Sequence, residues 1–293
     1  MNNKSFTLIE LLVVIVIIGI LAGVIMISTS SSIDKANIAK GKVFANSLRN
    51  SLITNLVSEW KFEGPTLADQ TVTVSDLQDD WGNNNSNITI QGAPKIKGGN
   101  DCVSGKCLSF SGTSDYVTCG NGGADLNVSS GDSMTIEVWV KLNVLGRTHS
   151  IVSKWTPWIF FVSGDNKQAF YIRSNGVDAS IASNTALSLN KWHHLTVTYT
   201  KLSFKTTFYL DGKLDGSPSF ANGIDNLTAG RVQIGGYGNV NNFINGKIDD
   251  VRIYNTALSS SQIRQDYVAG LNLLLSKRAI SKEEYSQRIN DTF

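Results

Sequence analysis

The clearest candidate for chemistry in this sequence is Glu10, a carboxylate inside an apolar segment of membrane length. Residues 6–28 are almost wholly aliphatic, and roughly 20 such residues are enough for a helix to cross a bilayer. A carboxylate at that depth costs about 2.5–3.5 kcal/mol and usually has a functional partner. Cleavage after the small residue Ser5 would keep the apolar segment on the protein and expose the α-amino group of Phe6. We expect this amine, in a neighbouring copy, to be the partner of Glu10.

The residues Ser5-Phe6-Thr7-Leu8-Ile9-Glu10-Leu11-Leu12, preceded by Lys4, resemble the N-terminus of the type IV pilin and pseudopilin family. The resemblance implies that a prepilin peptidase cuts before Phe6 and methylates its amine, and that Glu10 pairs with this amine during filament assembly. Ser5 stands where the family usually has Gly, and the apolar run lacks the Pro that many major pilins carry midway. The alternative is a plain single-pass anchor, which would have no use for Glu10.

A second, amphipathic part of the helix follows the polar residues 28–32. Apolar residues recur there in steps of three and four, interrupted at Lys40, and this spacing is typical of one helix face. We therefore predict a leader peptide at 1–5 and a pilin-type N-terminal helix at 6–57, with 6–28 as transmembrane segment or filament core. The apolar residues of the outer half are Ile33, Ala36, Val43, Phe44, Leu48, Leu52 and Leu56.

The composition argues against one class of function. The chain of 293 residues has a formal net charge of +2 and no basic cluster longer than Lys277-Arg278. A dedicated nucleic-acid-binding protein would carry a basic patch or stripe. We therefore expect no specific nucleic acid among the partners.

The sequence after residue 57 is typical of an all-β domain. Short runs of alternating apolar and polar residues are separated by Gly, Asn, Asp and Ser at roughly 8–12-residue spacing, which predicts a sandwich or barrel. Asp211-Gly212 is the signal of a type I′ hairpin. The predicted strands are 107–110, 115–119, 134–142, 150–154, 158–162, 169–173, 192–199, 206–210, 231–234 and 246–254.

These strands also resemble the laminin G-like, concanavalin A-like sandwich family over about residues 58–258. The resemblance implies two antiparallel sheets of about a dozen strands in jelly-roll topology. Members of the family bind carbohydrate or protein, serve as spacers or, in some branches, hydrolyse glycans. The matching segments are 107–112, 115–117, 134–141, 192–199, 209–213 and 246–255.

The carboxylates do not match those of a glycan hydrolase. A retaining glycosidase needs two carboxyl groups about 5–5.5 Å apart, which on one strand means acids two or four residues apart. Glu137 stands alone on its strand, with Trp139 and Lys141 as its same-face neighbours. Asp249 and Asp250 are adjacent, so they point to opposite faces of a strand.

The histidines do not suggest catalysis either. His193 and His194 alternate faces on one strand, and His149 is isolated in a polar turn. No order of Ser, His and Asp, and no Cys/His pairing, gives a plausible catalytic set. We predict structural roles for the histidines and a protein that is not an enzyme.

The laminin G-like resemblance implies one structural Ca²⁺, because domains of this family often carry it. Hard oxygen ligands in turns suit this ion. The candidates are Asp80 and Asn83, in a loop that also holds Asp79, with Glu63 and Asp250 nearby. The alternative is that Asp80 and Asn83 only cap a turn. We expect no other cofactor.

Two further features concern the outer domain. Trp155, Trp158, Tyr237 and Phe243 are candidates for stacking on sugars, with core or rim packing as the alternative. Cys102 and Cys107 flank a Gly-containing turn, and exported proteins form disulfides, so we predict that they are paired. Cys119 is in phase with Val117 and is expected to be a buried free thiol, although other pairings remain open.

The last segment, 259–293, is predicted to be a helical hairpin. Ser259-Ser260-Ser261-Gln262 and Ser281-Lys282-Glu283-Glu284 each match a capping box, which starts a helix. Apolar residues follow each box at helical spacing. The hairpin is expected to dock on the sandwich or on the long helix.

We therefore predict a pilin-like structural subunit. It is anchored in the bacterial cytoplasmic membrane as a single-pass protein with its N-terminus inside, and then joins an extracellular or periplasmic pilus or pseudopilus. The expected partners are other copies of the chain, the prepilin peptidase, the assembly machinery and the membrane. A glycan or surface protein is the candidate ligand for adhesion. The alternatives are a minor pseudopilin of a secretion or DNA-uptake system, a membrane-anchored carbohydrate-binding lectin-like protein, and a surface hydrolase.

Overall fold

The computed structural model describes residues 8–9, 12–17, 43, 53–82, 84–85, 87–119, 133–154, 157–225, 230–238 and 242–292. The predicted sites at Ser5, Phe6 and Glu10 lie outside these residues, as does Asn83. Residues 8–9, 12–17 and 43 are helical. Within the described ranges, no helix has both the length and the apolar character that crossing a membrane requires.

The sandwich begins slightly before the end of the helix predicted over 6–57. Ile53–Asn55 is a short 3-10 turn, and the first strand begins at Leu56. Leu56 pairs with Tyr254 of the last strand. This backbone pairing, and not the helical spacing of the Leu56 side chain, decides the conformation there.

The described chain from Leu56 to Tyr254 forms fifteen strands, and their named pairs are antiparallel. Asp211 and Gly212 both have positive φ between two of these strands, as the predicted type I′ turn requires. The strands are β1 (Leu56–Trp60), β2 (Thr89–Gln91), β3 (Lys95–Gly98), β4 (Lys106–Ser111), β5 (Tyr116–Cys119), β6 (Met134–Leu142), β7 (His149–Lys154), β8 (Trp158–Val162), β9 (Lys167–Ser174), β10 (Val177–Ala186), β11 (Trp192–Thr200), β12 (Lys205–Leu210), β13 (Lys213–Leu214), β14 (Val232–Ile234) and β15 (Asn245–Tyr254).

The strands form two sheets that stack as a jelly-roll sandwich, which confirms the fold predicted for the outer domain. Sheet A has the order β13-β12-β11-β6-β15-β4-β3, and β1 also pairs with β15. Sheet B has the order β10-β9-β8-β7-β14-β5-β2. The inward-facing side chains of both sheets pack into one apolar core. Its fully buried aromatic side chains include Trp60, Trp158, Phe160, Phe170 and Phe208.

Two helices follow β15, and the first lies on the outer face of sheet A. They are α1 (Ser260–Ser276) and α2 (Lys282–Thr292), which form the predicted helical hairpin. Ser259 caps α1, because its Oγ accepts the N–H of Gln262 while the Gln262 side chain accepts the N–H of Ser259. The capping box therefore forms as predicted.

Helix α1 is held on sheet A by a second apolar cluster. Tyr267, Leu271 and Leu274 of α1 pack with Trp139 of β6 and Trp192 of β11. The rings of Tyr267 and Trp139 stack with centroids 5.7 Å apart. The outer face of sheet A is therefore covered where α1 lies on it.

Candidate functional site

The carboxylates predicted to bind calcium already have protein partners. Asp79 accepts four main-chain N–H groups, three from its own turn at 3.1, 2.8 and 3.4 Å and one from β1 at 3.0 Å. Asp80 accepts a main-chain N–H at 3.0 Å, and Glu63 accepts one at 2.9 Å. A carboxylate oxygen of Asp250 lies 3.6 Å from the guanidinium of Arg252. Burial raises the pKa of Asp80 and of Asp250.

These carboxylates do not form a compact set of ligands. In the part of the chain that the structure describes, the group of metal-ligating side chains within 4.8 Å of one another is Cys102, Cys107 and Asp249. The two cysteines are joined to each other, so this group does not offer thiolates to a metal. Calcium binding therefore stays a prediction of the resemblance.

The predicted disulfide between Cys102 and Cys107 is confirmed. It closes the loop before β4, where a carboxylate oxygen of Asp249 accepts two consecutive main-chain N–H groups at 2.8 and 2.9 Å. Cys119 is a buried free thiol, as predicted. Burial raises the pKa of Cys119, so the thiol is protonated and inert.

Glu137 does not stand alone, because a helix brings a second acid to it. Asp266 of α1 and Glu137 of β6 are both buried, and they lie close enough for each carboxyl group to shift the pKa of the other. Burial, and after it the charge of Asp266, raises the pKa of Glu137 well above its usual value. Burial also raises the pKa of Asp266. Both acids are buried between sheet A and α1, where a sugar cannot reach them.

His193 lies in a hydrogen-bonded chain that sequence reasoning missed. Its Nδ1 is 2.9 Å from Oδ2 of Asp211, and its Nε2 is 2.8 Å from Oγ of Ser188. The N–H of Ser188 also donates to Nε2 at 3.2 Å, which leaves the ring proton on Nδ1, facing Asp211. The order of groups is that of a Ser-His-Asp triad. The Ser188 N–H and hydroxyl share one acceptor, Nε2 of His193. We therefore interpret these hydrogen bonds as structural, because they connect the loop after β10 to the turn at Asp211.

The other two histidines are core residues. His194 is buried with its ring 5.1 Å from that of Trp139, and burial lowers its pKa to about 3. His149 was expected in a polar turn, but it begins β7 and is fully buried, with Nδ1 accepting the N–H of Asn245 at 3.3 Å. Burial lowers the pKa of His149 to about 4. Both imidazoles are neutral at physiological pH and have structural roles.

Of the four aromatic residues proposed to stack on sugars, Tyr237 is the one that is described and not buried. Trp158 is fully buried in the core, and Phe243 is 7% exposed. The Phe243 ring stacks on that of Tyr116 with centroids 5.9 Å apart. Trp155 lies outside the described residues. Tyr237 is half-buried, and the charge of Asp178 on β10 contributes to raising its pKa after burial itself.

The outer face of sheet B brings aromatic and polar side chains together around Tyr237. The register sets Tyr171 of β9 opposite Ile159 of β8 and Ser180 of β10. It also sets Arg173 opposite Asp178. We call the surface formed by Ile159, Phe161, Tyr171, Arg173, Asp178, Ser180 and Tyr237 the Tyr171 patch; each of these side chains is half-buried or exposed.

Comparison with known protein families finds one match at the N-terminus and one in the sandwich. The prokaryotic N-terminal methylation motif matches residues 1–26. The profile of the concanavalin A-like lectin/glucanases superfamily matches residues 111–264. Fold and N-terminus thus define a lectin-like sandwich protein with a prepilin-type leader. The chain belongs to the concanavalin A-like lectin/glucanases superfamily. No curated protein matches the sequence.

Similar folds occur in solved binding domains. The binding domain of Paraclostridial Mosquitocidal Protein 1 has a TM-score of 0.59 at 21% identity, covering 75% of this chain and 53% of that one. Domain 4 of AbnA, a GH43 extracellular arabinanase from Geobacillus stearothermophilus solved with arabinotriose, has a TM-score of 0.56 at 18% identity, covering 73% and 98%. The botulinum neurotoxin type G receptor-binding domain has a TM-score of 0.52 at 15% identity, covering 73% and 51%. The chain therefore spans about half the length of the two toxin domains, and the likeness shows the fold alone.

Proposed function

We propose that the protein is a type IV pilin-like structural subunit that displays a lectin-like sandwich for binding or adhesion. A prepilin peptidase removes residues 1–5 and methylates the amine of Phe6. The apolar segment then holds the subunit in the bacterial cytoplasmic membrane until it enters a pilus or pseudopilus outside. The observation that carries this proposal is a prepilin methylation motif over 1–26 on the same chain as the sandwich.

The proposed assembly step depends on Glu10. In an apolar filament core the low dielectric strengthens attraction between the Glu10 carboxylate and the amine of Phe6 in a neighbouring subunit. Removing one partner of such a pair leaves a costly unpaired charge. The pair would thereby fix the axial position of each subunit.

The burial of the two acids favours ligand binding, and not glycan hydrolysis, as the function of the sandwich. Glu137 and Asp266 are buried between sheet A and α1. A glycosidase instead needs two carboxyl groups that flank the sugar bond. We therefore propose a ligand-binding, non-enzymatic domain.

Substitution of Glu10 tests the proposed assembly. We expect Glu10→Ala to lower the amount of sheared surface filament roughly tenfold or more, because the Phe6 amine loses its buried partner. The matched control is Glu283→Ala, since Glu283 is an exposed acid in the first turn of α2. Both variants should accumulate in the membrane and unfold at the wild-type temperature. A normal filament yield from Glu10→Ala would contradict the proposal.

The amount of filament also separates the main alternatives. A major pilin should dominate the sheared fraction, whereas a minor pseudopilin of a secretion or DNA-uptake system should be a trace component. A membrane-anchored lectin-like protein should remain in the membrane fraction in both the wild type and Glu10→Ala.

A further inference from the structure

We propose that the outer edge of strand β10 binds the same edge of a second copy of the chain, so that two sandwiches join through one continuous sheet. The proposal rests on the proposed function, because anchoring and assembly bring the copies close together. Strand β10 is the end strand of sheet B, and its inner neighbour is β9. An end strand presents main-chain N–H and C=O groups that another strand can bind.

The other three sheet ends are short or covered in the part of the chain that the structure describes. Strand β13 has two residues and β2 has three. Strand β3 carries Lys95 and Lys97, and the N–H of Ile96 donates to the carbonyl of Gln70 at 2.9 Å, which covers its free edge. Strand β10 has ten residues, and its one charged side chain is Asp178. Short length, lysine, proline and covering loops are the usual protection against edge pairing, and β10 lacks them along its first half.

The direction of the main-chain groups of β10 follows from its neighbour. The N–H of Arg173 on β9 donates to the carbonyl of Pro157 at 2.9 Å, and its carbonyl accepts the N–H of Asp225 at 2.8 Å. Both groups of Arg173 therefore point away from β10. Because Asp178 stands opposite Arg173, the two form a non-hydrogen-bonded pair, and the N–H and C=O of Asp178 point to the outer edge.

Three residues of β10 have their main-chain groups open on this edge. The direction alternates along a strand, so Ser180 and Ala182 also point outward. The next residue in the series is Asn184, whose N–H donates to the carbonyl of Asp215 at 2.9 Å. Among the described residues, no main-chain partner of this kind covers Asp178, Ser180 or Ala182. The open edge therefore extends over 178–182, and all three of these residues are exposed.

An antiparallel contact of β10 with its own copy uses all of these groups. Centred on Ser180, it sets Ser180 opposite the same residue of the second copy and Asp178 opposite Ala182. Each of these is a hydrogen-bonded pair that exchanges two N–H···O bonds, so the contact contains about six. The three open residues are placed symmetrically about Ser180, and no other register pairs all of them.

The side chains are compatible with this register. The Asp178 carboxylates of the two copies are four residues apart, or about 14 Å, which exceeds the Debye length of about 8 Å at physiological salt. Their repulsion is therefore screened. On the inner face, Ala179 of each copy lies opposite Ile181 of the other, and both side chains are half-buried against the core. The contact thus adds apolar packing on the core side.

A second copy fits this edge better than an unrelated extended peptide. Peptides that add a strand to a sheet gain specificity from pockets for their alternate side chains. The small side chains of Ser180 and Ala182 form no walls for such pockets. A contact related by twofold symmetry needs none, because the same surface serves both partners. The contact is small, so it depends on the high effective concentration of copies held side by side.

Cysteine cross-linking of the full chain, in vesicles of phosphatidylethanolamine and phosphatidylglycerol, tests the register. Ser180→Cys sets two thiols opposite each other at a Cα separation of about 5.5 Å, which a disulfide can span. Ala182→Cys is the matched control, because it lies on the same exposed edge but its two copies are about 14 Å apart. After mild oxidation we expect at least tenfold more disulfide dimer from Ser180→Cys. The native cysteines do not interfere, since Cys102 and Cys107 are joined and Cys119 is buried.

A proline on the open edge tests whether main-chain hydrogen bonds form the contact. Ala182→Pro removes an N–H that faces away from β9, so sheet B keeps its own hydrogen bonds. In the Ser180→Cys background we expect Ala182→Pro to lower the dimer yield roughly tenfold while Tm stays close to that of the parent. Ala182→Ser in the same background is the control and should cross-link like the parent.

Three outcomes would overturn the proposal. They are the absence of dimer from Ser180→Cys, equal dimer yields from Ser180→Cys and Ala182→Cys, and full cross-linking in a folded Ala182→Pro variant. Association through the N-terminal segment would raise the yields of both cysteine variants alike, so it cannot imitate the expected difference. The filament yield of Glu10→Ala is measured separately, so failure of the edge contact and failure of the proposed function are distinguishable.

Discussion

At the scale of single residues, the most unusual group is the carboxyl of Glu137, because burial raises its pKa well above the usual value. Asp266 faces it from α1, while Arg252 and Tyr254 face it from β15. Glu59 of β1 is bonded to Arg252 at 2.9 Å and lies 3.2 Å from the ammonium of Lys61. Carboxylates thus outnumber cations in this buried cluster, and a proton on Glu137 would reduce the excess of negative charge.

This arrangement predicts a pH-dependent effect of Glu137→Gln. Folding raises the pKa of Glu137, so the folded state binds a proton that the unfolded state loses above its ordinary pKa of about 4.3. Wild-type stability should therefore fall as pH rises from about 4.3 toward the folded-state pKa. The amide of Gln has no carboxyl proton to lose as pH rises. We expect Glu137→Gln to match the wild-type Tm near pH 4 and to exceed it at pH 7.5.

The size and the control follow from the same linkage. A carboxyl whose pKa rises by one unit loses about 1.4 kcal/mol of stability at high pH, which is roughly 3–6 °C in Tm for a domain of this size. Glu283→Gln, at an exposed position, should show no gain at pH 7.5. The quantity to compare is the Tm of Glu137→Gln minus the Tm of the wild type. If this difference were smaller at pH 7.5 than at pH 4, Glu137 would be ionised in the folded protein, which would contradict the prediction.

At the scale of elements, the docking of α1 depends on one close approach. A Cβ on Gly270 would lie 2.4 Å from Cζ2 of Trp139. The Trp139 ring is held between His194, at 5.1 Å, and Tyr267, at 5.7 Å, so it cannot easily turn aside. Gly at 270 therefore lets the helix lie close to sheet A.

We expect Gly270→Ala to destabilise the protein although Ala is the better helix former. The helix gains about 1 kcal/mol in propensity, but overpacking a core typically costs about 1–3 kcal/mol and lifts α1 from the sheet. Thermal unfolding and limited proteolysis of residues 259–292 would measure both effects. The control is Gly164→Ala, because a Cβ there meets nothing within 4 Å. Equal Tm values for the two variants would contradict this view of the interface.

Sequence reasoning found the strands that are mostly buried and missed one that is mostly exposed. The predicted strands at 134–142 and 158–162 coincide with β6 and β8, where buried apolar residues give a strong pattern. Strand β10, which carries Asp178 and Ser180, was missed because it is a mostly exposed edge strand with few large apolar residues. The dipeptide Asn175-Gly176, with positive φ at both residues, was a hairpin signal that could have revealed it.

The candidate site was predictable only in part, because it depends on which faces are covered. The sequence singled out Tyr237, but it also singled out Trp158, which lies in the core. Alternation tells which residues share a face, not which face the second sheet covers. The meeting of Glu137 with Asp266, and of Ser188 with Asp211 through His193, depends on tertiary packing that spacing along one element does not encode.

At the scale of the whole molecule, the protein joins an N-terminus that carries a prepilin methylation motif to a lectin-like sandwich. The sandwich begins at Leu56, so about fifty residues after the proposed cleavage site precede it. Sheet A is covered by α1, while sheet B presents the Tyr171 patch on its outer face. We expect this division to let one part of the chain serve assembly while the other meets a ligand.

The intact mass of the protein, expressed with and without a prepilin peptidase, tests the pilin assignment most directly. We expect peptidase-dependent loss of residues 1–5 and one added methyl group on the new N-terminal Phe6. An identical, uncut mass in both samples would contradict the pilin pathway and favour a membrane-anchored lectin-like protein.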